Sequence, residues 1–172
     1  FDNEVRLDPS NTSHDKFKPK HRADLMLAIR LLQFDDPNGV HSTIHVDINS
    51  WDVSNVTDMS KMFYMCEHFN QPLDKWNVSK VTDMSSMFFM CEHFNQPLNN
   101  WNVSKVTNMF EMFDSCHAFN QPLDKWNVSK VTNMSGMLAN CYNFNQPLNK
   151  WKVSKVRSEE HTFELQSRFG IS

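Results

Sequence analysis

A tryptophan recurs every 25 residues in this chain, at Trp51, Trp76, Trp101, Trp126 and Trp151. These five residues are all the tryptophans in the protein. A fixed period in the twenties indicates one structural unit per repeat, with neighbouring units stacked so that each buries the apolar face of the next. In a chain of one domain's length, we therefore expect a solenoid.

Whole columns of residues follow the same period. The pentapeptide Phe-Asn-Gln-Pro-Leu stands unchanged at residues 69–73, 94–98, 119–123 and 144–148. Cysteines recur at Cys66, Cys91, Cys116 and Cys141, and valines at Val56, Val81, Val106, Val131 and Val156. A single coil buries too few apolar side chains to offset an ordering cost of about 1–2 kcal/mol per residue, so the coils must stack to be stable.

The first half of each repeat predicts a short helix. Four apolar residues of the first copy are spaced as i, i+3, i+4 and i+7, which places them on one helical face: Met59, Met62, Phe63 and Cys66. The same pattern returns in each of the next three repeats. Thr57 and Asp58, like their equivalents, suit the capping of a first helical turn.

The second half of each repeat predicts a short strand. Trp76 and Val78 are two residues apart and would share one side of an extended segment. The proline of each pentapeptide removes one ladder N–H, so regular pairing is expected near the tryptophan. The Asn and Gln after each phenylalanine could form stacked amide ladders from one coil to the next.

The regions outside the repeats differ in character. Residues 1–22 are polar and end in a basic cluster, which we interpret as an extended arm. Residues 23–50 combine a dense apolar helix with an alternating strand around Ile44, Val46 and Ile48, and read as an N-terminal cap. The repeats occupy residues 51–156, and a divergent tail follows at residues 157–172. The four cysteines share one column and are expected to be buried, reduced thiols rather than disulfides.

The repeat unit FNQPLDKWNVSKVTDMSSMFFMC, residues 69–91, closely resembles the recurring coil of the BspA-type leucine-rich-repeat surface-protein family. The resemblance covers about residues 44–156. It implies an α/β solenoid, a leucine-rich-repeat-like stack of about four coils, each with a short helix and a short parallel strand. It also implies binding or adhesion without catalysis. The segment RSEEHTFELQSR, residues 157–168, resembles a translated sequencing adapter, and a divergent natural cap is the alternative.

Several functional classes find little support in the sequence. A net charge of −3 disfavours nucleic acid as a partner, and no run of apolar residues is long enough for a membrane-spanning helix. No nucleophile elbow or phosphate loop occurs, so we expect no enzyme and no cofactor. Glu67-His68 and Glu92-His93 resemble metal pairs, but adjacent loop residues rarely converge on one ion, and we predict no metal site.

Two functions remain, both based on protein partners. One is a structural or scaffold subunit docked on a larger assembly, which could include a membrane complex. The other is a secreted or cell-surface adhesin that binds host or matrix proteins. Phe1 rather than methionine opens the sequence, which we interpret as a removed targeting peptide or a missing start, so no compartment is predicted.

The candidate partner-binding residues are basic. Stacking predicts a lysine stripe along one flank, formed by Lys75, Lys80, Lys105, Lys125, Lys130, Lys150 and Lys155. The arm adds Lys16, Lys18, Lys20 and Arg22. We expect this basic surface to meet an acidic protein surface, because complementary charge sets encounter rate and register. The alternative is a solvated face without a partner.

Overall fold

The structure is a computed structural model that describes residues 17–34 and 47–156. Regular helix occurs in these ranges at α1, Arg22–Phe34, and in a one-turn 3-10 helix at Ile48–Ser50. The remaining described residues form turns, bends and single bridges. The tail and most of the basic arm lie outside the described residues.

Helix α1 confirms the helix expected from Ala23 onward and begins one residue earlier. Leu25, Ala28 and Ile29 are buried in the same apolar cluster as the repeats. Asp24 lies in the first turn, where a negative charge interacts favourably with the positive end of the helix dipole. The N-terminal helix therefore contributes directly to the core of the repeats.

The predicted α/β solenoid of helix–strand coils is wrong, and so is the leucine-rich-repeat-like fold. In the described repeats, residues 51–156, no helix and no strand is present. Each repeat is a succession of tight turns lying beside the next repeat. Single parallel bridges link successive repeats, joining Asp58 to Asp83, Asp83 to Asn108, and Asn108 to Asn133.

Left-handed residues prevent the predicted helix from forming. Lys61 has a φ of 55° and Met65 a φ of 60°, and the later repeats keep this conformation at Ser86, Met90, Glu111, Ser115, Gly136 and Asn140. A right-handed helix requires negative φ at every residue. The N–H of Lys61 instead donates to the carbonyl of Ser85 in the next repeat, at 2.9 Å.

The apolar spacing is satisfied by turns instead. The N–H of Met62 donates to the carbonyl of Met59 at 3.3 Å, and the N–H of Cys66 to that of Phe63 at 3.0 Å. Each turn returns the chain to the core after three residues, so Met59, Met62 and Phe63 are buried without a helix. Spacing of i, i+3, i+4 and i+7 is therefore shared by a helix and by this pair of turns.

The residues assigned to helix capping have other partners. Asp58 Oδ1 accepts a hydrogen bond from the N–H of Ser60 at 2.8 Å, which closes a turn formed by the aspartate side chain. Thr82 Oγ1 donates to the carbonyl of Thr57 at 3.2 Å, linking two repeats. The predicted threonine and aspartate caps are therefore wrong, because there is no helix to cap.

The predicted strand is absent because the chain turns too often. The N–H of Trp76 donates to the carbonyl of Leu73 at 3.0 Å, and the N–H of Val81 donates to that of Val78 at 2.9 Å. These two turns leave no extended run for a ladder of backbone hydrogen bonds. The amide ladder is confirmed, since Asn70 Oδ1 accepts from the N–H of Asn95 at 3.0 Å, and this contact recurs in later repeats.

The tryptophan column is a core column, as predicted. Trp101 is 4% exposed, and its Nε1 donates to the carbonyl of Leu73 at 2.9 Å. The later tryptophans make the same bond to the leucine 28 residues earlier. Beside them, Phe63, Phe88 and Phe113 stack with ring centroids 5.4 Å apart.

The strand predicted within the N-terminal cap is not present at Ile48, the one of its three named residues that the structure describes. Ile44 and Val46 lie outside the described residues, and Ile48 begins the 3-10 helix. Ile48 nevertheless occupies the place that Leu73 takes in the next repeat, since the two residues are one period of 25 residues apart. It is buried, and its carbonyl accepts a hydrogen bond from Trp76 Nε1 at 2.8 Å.

The cysteine column is mostly buried, and none of the four cysteines is in a disulfide. The Sγ atoms of Cys91, Cys116 and Cys141 each donate at 3.0 Å to the carbonyl of a phenylalanine in the preceding repeat. The three acceptors are Phe63, Phe88 and Phe113, in that order. Cys66 is only half-buried, contrary to the prediction of four buried thiols. Burial raises the pKa of the Cys91 and Cys116 thiols well above the ordinary range.

Replacing Trp101 tests the central core. We expect Trp101→Ala to lower the free energy of unfolding by about 3–5 kcal/mol because it opens a large cavity. Trp101→Phe keeps most of the volume but removes one of the two hydrogen bonds to the Leu73 carbonyl, which keeps the bond from the N–H of Trp76, so it should cost only about 0.5–1.5 kcal/mol. Urea denaturation measures both, with the exposed Lys105→Ala as control. Wild-type stability for both tryptophan variants would contradict a core role.

Thiol labelling tests the cysteine column. We expect a maleimide to modify Cys66 in the native protein and the other three cysteines only in denaturant, since the thiolate is the reactive form and burial opposes it. Peptide mass spectrometry of the labelled protein assigns the sites. Rapid native labelling of Cys116 would show that the repeats do not stack as described.

Candidate functional site

The predicted lysine stripe consists of two separate columns. The first, Lys75, Lys125 and Lys150, is interrupted by Asn100. The second holds a lysine in four successive repeats, at Lys80, Lys105, Lys130 and Lys155. All seven lysines are exposed. We call the second set the lysine column.

Local turns explain why these lysines face solvent. Lys75 lies inside the turn that runs from Leu73 to Trp76, and Lys80 inside the turn from Val78 to Val81. The first and last residue of each turn are buried apolar side chains. The two residues between them form the corner, so each lysine is carried on a backbone whose ends are fixed in the core.

Some of these lysines already have partners. Lys150 Nζ lies 2.9 Å from Asp124 Oδ2, and this hydrogen bond, followed by one from Asn99, holds the pKa of the Asp124 carboxyl below its ordinary value. Lys80 Nζ donates to Asn55 Oδ1 at 3.1 Å, but an amide leaves the ammonium charge uncompensated. Among described residues, no carboxylate lies within ion-pair distance of Lys80, Lys105 or Lys130.

The basic arm does not extend this surface as a free segment. Lys16 lies outside the described residues, and Lys20 is exposed. Lys18 Nζ pairs with Asp52 Oδ2 at 2.7 Å, and this hydrogen bond holds the pKa of the Asp52 carboxyl well below its ordinary value. Phe17 packs on Trp51 with ring centroids 4.7 Å apart. Residues 17 and 18 are therefore anchored to the first repeat.

Arg22 is also engaged within the chain. Its guanidinium donates to the carbonyl and the hydroxyl of Ser60. Its Nε lies 3.4 Å from Asp58 Oδ2, close enough for an ion pair but not aligned for a hydrogen bond. Two of the arm residues predicted to bind a partner, Lys18 and Arg22, thus bind the protein's own first repeat.

Three side chains that could ligate a metal ion lie together, a grouping across two repeats that the sequence did not predict. Glu67, His68 and His93 each place one ligand atom within 4.8 Å of the other two, and all three residues are exposed. Glu67 and His68 are neighbours within one repeat, whereas His93 comes from the next repeat. Identical residues 25 positions apart, His68 and His93, were the available signal.

Replacing Asp52 tests the anchoring of the arm. Asn77, Asn102 and Asn127 stand in the same column and make the same turn hydrogen bond to a serine N–H, so Asp52→Asn keeps the turn and removes the charge. We expect a loss of at most about 1 kcal/mol at pH 7, because both partners are partly exposed.

The pH dependence of that loss of stability tests whether it comes from the Asp52 carboxylate. The folded-state pKa of Asp52 lies below its unfolded value, so its contribution is complete above about pH 4 and is lost as the pH falls through the folded pKa. Urea denaturation at pH 7 and at about pH 2.5 should show the difference between wild type and Asp52→Asn shrinking in acid. In a protein that already carries Lys18→Met, adding Asp52→Asn should cause no further loss of stability at neutral pH. A difference that grows in acid would contradict the ion pair.

Within the described residues, no helix has the length and apolar character needed to cross a bilayer. A family model with the description "Mycoplasma protein of unknown function, DUF285" matches the chain twice, over residues 37–133 and 73–171. No curated protein and no solved structure matches it. The two matches together span most of the sequence and include all of the described repeats. The chain therefore belongs to the DUF285 family.

Proposed function

We propose that this protein is a non-catalytic protein–protein interaction module that binds an acidic protein surface through the lysine column. The observation that carries the proposal is the column itself. Four exposed lysines stand in register on four successive repeats, and none of the four has a carboxylate partner among the described residues.

The spacing of the repeats sets the charge repulsion between neighbouring lysines of the column. Stacked phenylalanine rings of neighbouring repeats lie 5.4 Å apart, so the backbone positions of the lysines are held at a similar spacing. Two unit charges about 5 Å apart in water repel each other by about 1 kcal/mol. A partner that presents carboxylates at a comparable spacing would relieve this repulsion. The matched spacing would also fix the position of the partner along the lysine column.

A scaffold subunit is the form of this function that we favour. The core positions of the repeats are filled by buried side chains, which leaves the exposed turn corners to distinguish one partner from another. A rigid row of turns suits a subunit that docks lengthwise on a larger assembly. The net charge of −3 disfavours nucleic acid as the partner, so attraction to an acidic protein surface has to come from the lysine column itself.

A cell-surface adhesin is the second candidate. Membership of the DUF285 family, together with the resemblance of the repeat to BspA-type surface proteins, supports it. The two candidates differ in their precursors: a secretory signal with an anchor would favour the adhesin, and an organellar transit peptide the scaffold.

The adapter-like origin of residues 157–168 stays a hypothesis, as the tail lies outside the described residues.

Charge reversal tests the proposed binding surface. We expect Lys105→Glu, Lys125→Glu and Lys130→Glu together to weaken association with protein partners by about tenfold or more and to flatten its salt dependence. Chemical crosslinking and pull-down from source material, followed by binding measurements at increasing salt with the recovered partner, provide the readout.

A charge-matched variant serves as the control. Arg30→Glu, Lys61→Glu and Lys152→Glu change the net charge equally. These three residues are also exposed, but they lie outside both lysine sets and outside the basic arm. This control should retain most of the association. An equal loss of association in both variants, or no loss in the first, would show that the lysine column is a solvent-exposed face without a binding role.

A further inference from the structure

Two successive repeats place the same corner side by side. The N–H of Phe69 donates to the carbonyl of Cys66, and the N–H of Phe94 to that of Cys91, so each pair closes a tight turn. Glu67 and His68 form the corner of the first turn. The N–H of His93, in the second, donates to the carbonyl of Glu67 at 3.1 Å, which fixes the alignment of the two corners.

Three ligand-bearing side chains converge at this place. One ligand atom each of Glu67, His68 and His93 lies within 4.8 Å of the others. The rings of His68 and His93 have centroids 5.0 Å apart and are tilted by 50°. The two rings are thus close without stacking face to face, an arrangement in which both can direct a nitrogen toward a common point.

The hydrogen bond to Glu67 selects the tautomer of the His93 ring. His93 Nδ1 lies 3.0 Å from the carbonyl oxygen of Glu67, and a carbonyl can only accept a hydrogen bond. Nδ1 therefore carries the hydrogen, and in the neutral ring the lone pair is on Nε2. Orientation of a histidine through a hydrogen bond from its other nitrogen is the usual arrangement for a metal ligand.

The next corners lack this set. His117 Nδ1 lies 3.5 Å from Glu92 Oε2, but Ala118 stands where His68 and His93 stand in the earlier repeats. Tyr142 and Asn143 fill the following corner. Within the described residues, the grouping of two histidines and one glutamate occurs only between the first two corners.

We propose that Glu67, His68 and His93 form a surface Zn²⁺ site. Zinc accepts imidazole nitrogen and carboxylate oxygen at about 2.0–2.2 Å, so tetrahedral ligands lie about 3.3 Å from each other. The three side chains are exposed and need to close by only about 1.5 Å to reach this geometry. Three protein ligands leave one position for water or for a ligand from a bound partner. Mg²⁺, which prefers an all-oxygen octahedron, does not fit this donor set.

Calorimetric titration of the full chain with ZnCl₂ tests the proposal. We expect one saturable site in the wild type, with affinity lowered about tenfold or more in His68→Gln and in His93→Gln. His117→Gln is the matched control, because it removes a histidine from a neighbouring corner that pairs with one glutamate, and it should bind as the wild type does. MgCl₂ should give no saturable binding.

X-ray absorption of the zinc-loaded protein separates this site from the buried thiols and from other histidines. The spectrum should show two imidazoles with oxygen ligands and no sulfur. Zinc–sulfur scattering, wild-type affinity in both His68→Gln and His93→Gln, or equal loss in His117→Gln would each overturn the assignment. Circular dichroism of each variant checks that the fold is retained.

Discussion

Hydrogen bonds that leave one repeat and end on the next hold this structure together. In the first three repeats, alternate N–H groups of the segment that begins at Met59, Met84 or Met109 donate to carbonyls of the following repeat. The Nε1 atoms of four tryptophans donate to carbonyls of the preceding repeat: Trp76, Trp101, Trp126 and Trp151. A buried polar group left unpaired costs about 1–3 kcal/mol, so each repeat relies on its neighbour for its polar groups as well as for its apolar face. A change of length within one repeat would break both kinds of contact at once.

The left-handed residues are the local cost of this arrangement. Lys61, Met65 and their equivalents adopt positive φ although only Gly136 among them is a glycine. A left-handed L-residue is disfavoured by about 1–2 kcal/mol, and the hydrogen bonds to the next repeat offset this cost. The turns are thus stable only within the stack, so the sequence of a single repeat does not reveal them.

The same register also creates the surface. Exposed positions repeat at each turn corner, so a side chain kept in several repeats becomes a row, as with Lys80, Lys105 and Lys130. A side chain kept in only two repeats becomes a pair, as with His68 and His93. The fold therefore turns small differences between repeats into distinct local chemistries. At the N-terminal end, Lys18 and Arg22 pair with carboxylates of the first repeat, so these two charges do not add to the lysine column.

The sequence by itself determined the period, the core and the first helix. The tryptophan column is buried, and so are the valine and phenylalanine columns apart from the partly buried Val156 and Phe69, because a regular apolar period can be satisfied only by stacking. Helix α1 follows from its own dense apolar pattern. The amide ladder at Asn70 was also predictable, since identical amides in successive repeats must meet if the repeats stack. These features depend on composition and spacing alone.

Tertiary structure alone decided the form of each repeat and the contacts between repeats. A spacing of i, i+3, i+4 and i+7 fits both a helix and two successive turns, and left-handed φ at Lys61 is not encoded by a glycine that could reveal it. The choice was made by hydrogen bonds to residues 24 positions away. The grouping of Glu67 with His93 and the pairing of Lys18 with Asp52 likewise depend on which side chains face each other. Sequence spacing specifies which columns align, but only the packed backbone fixes where their side chains meet.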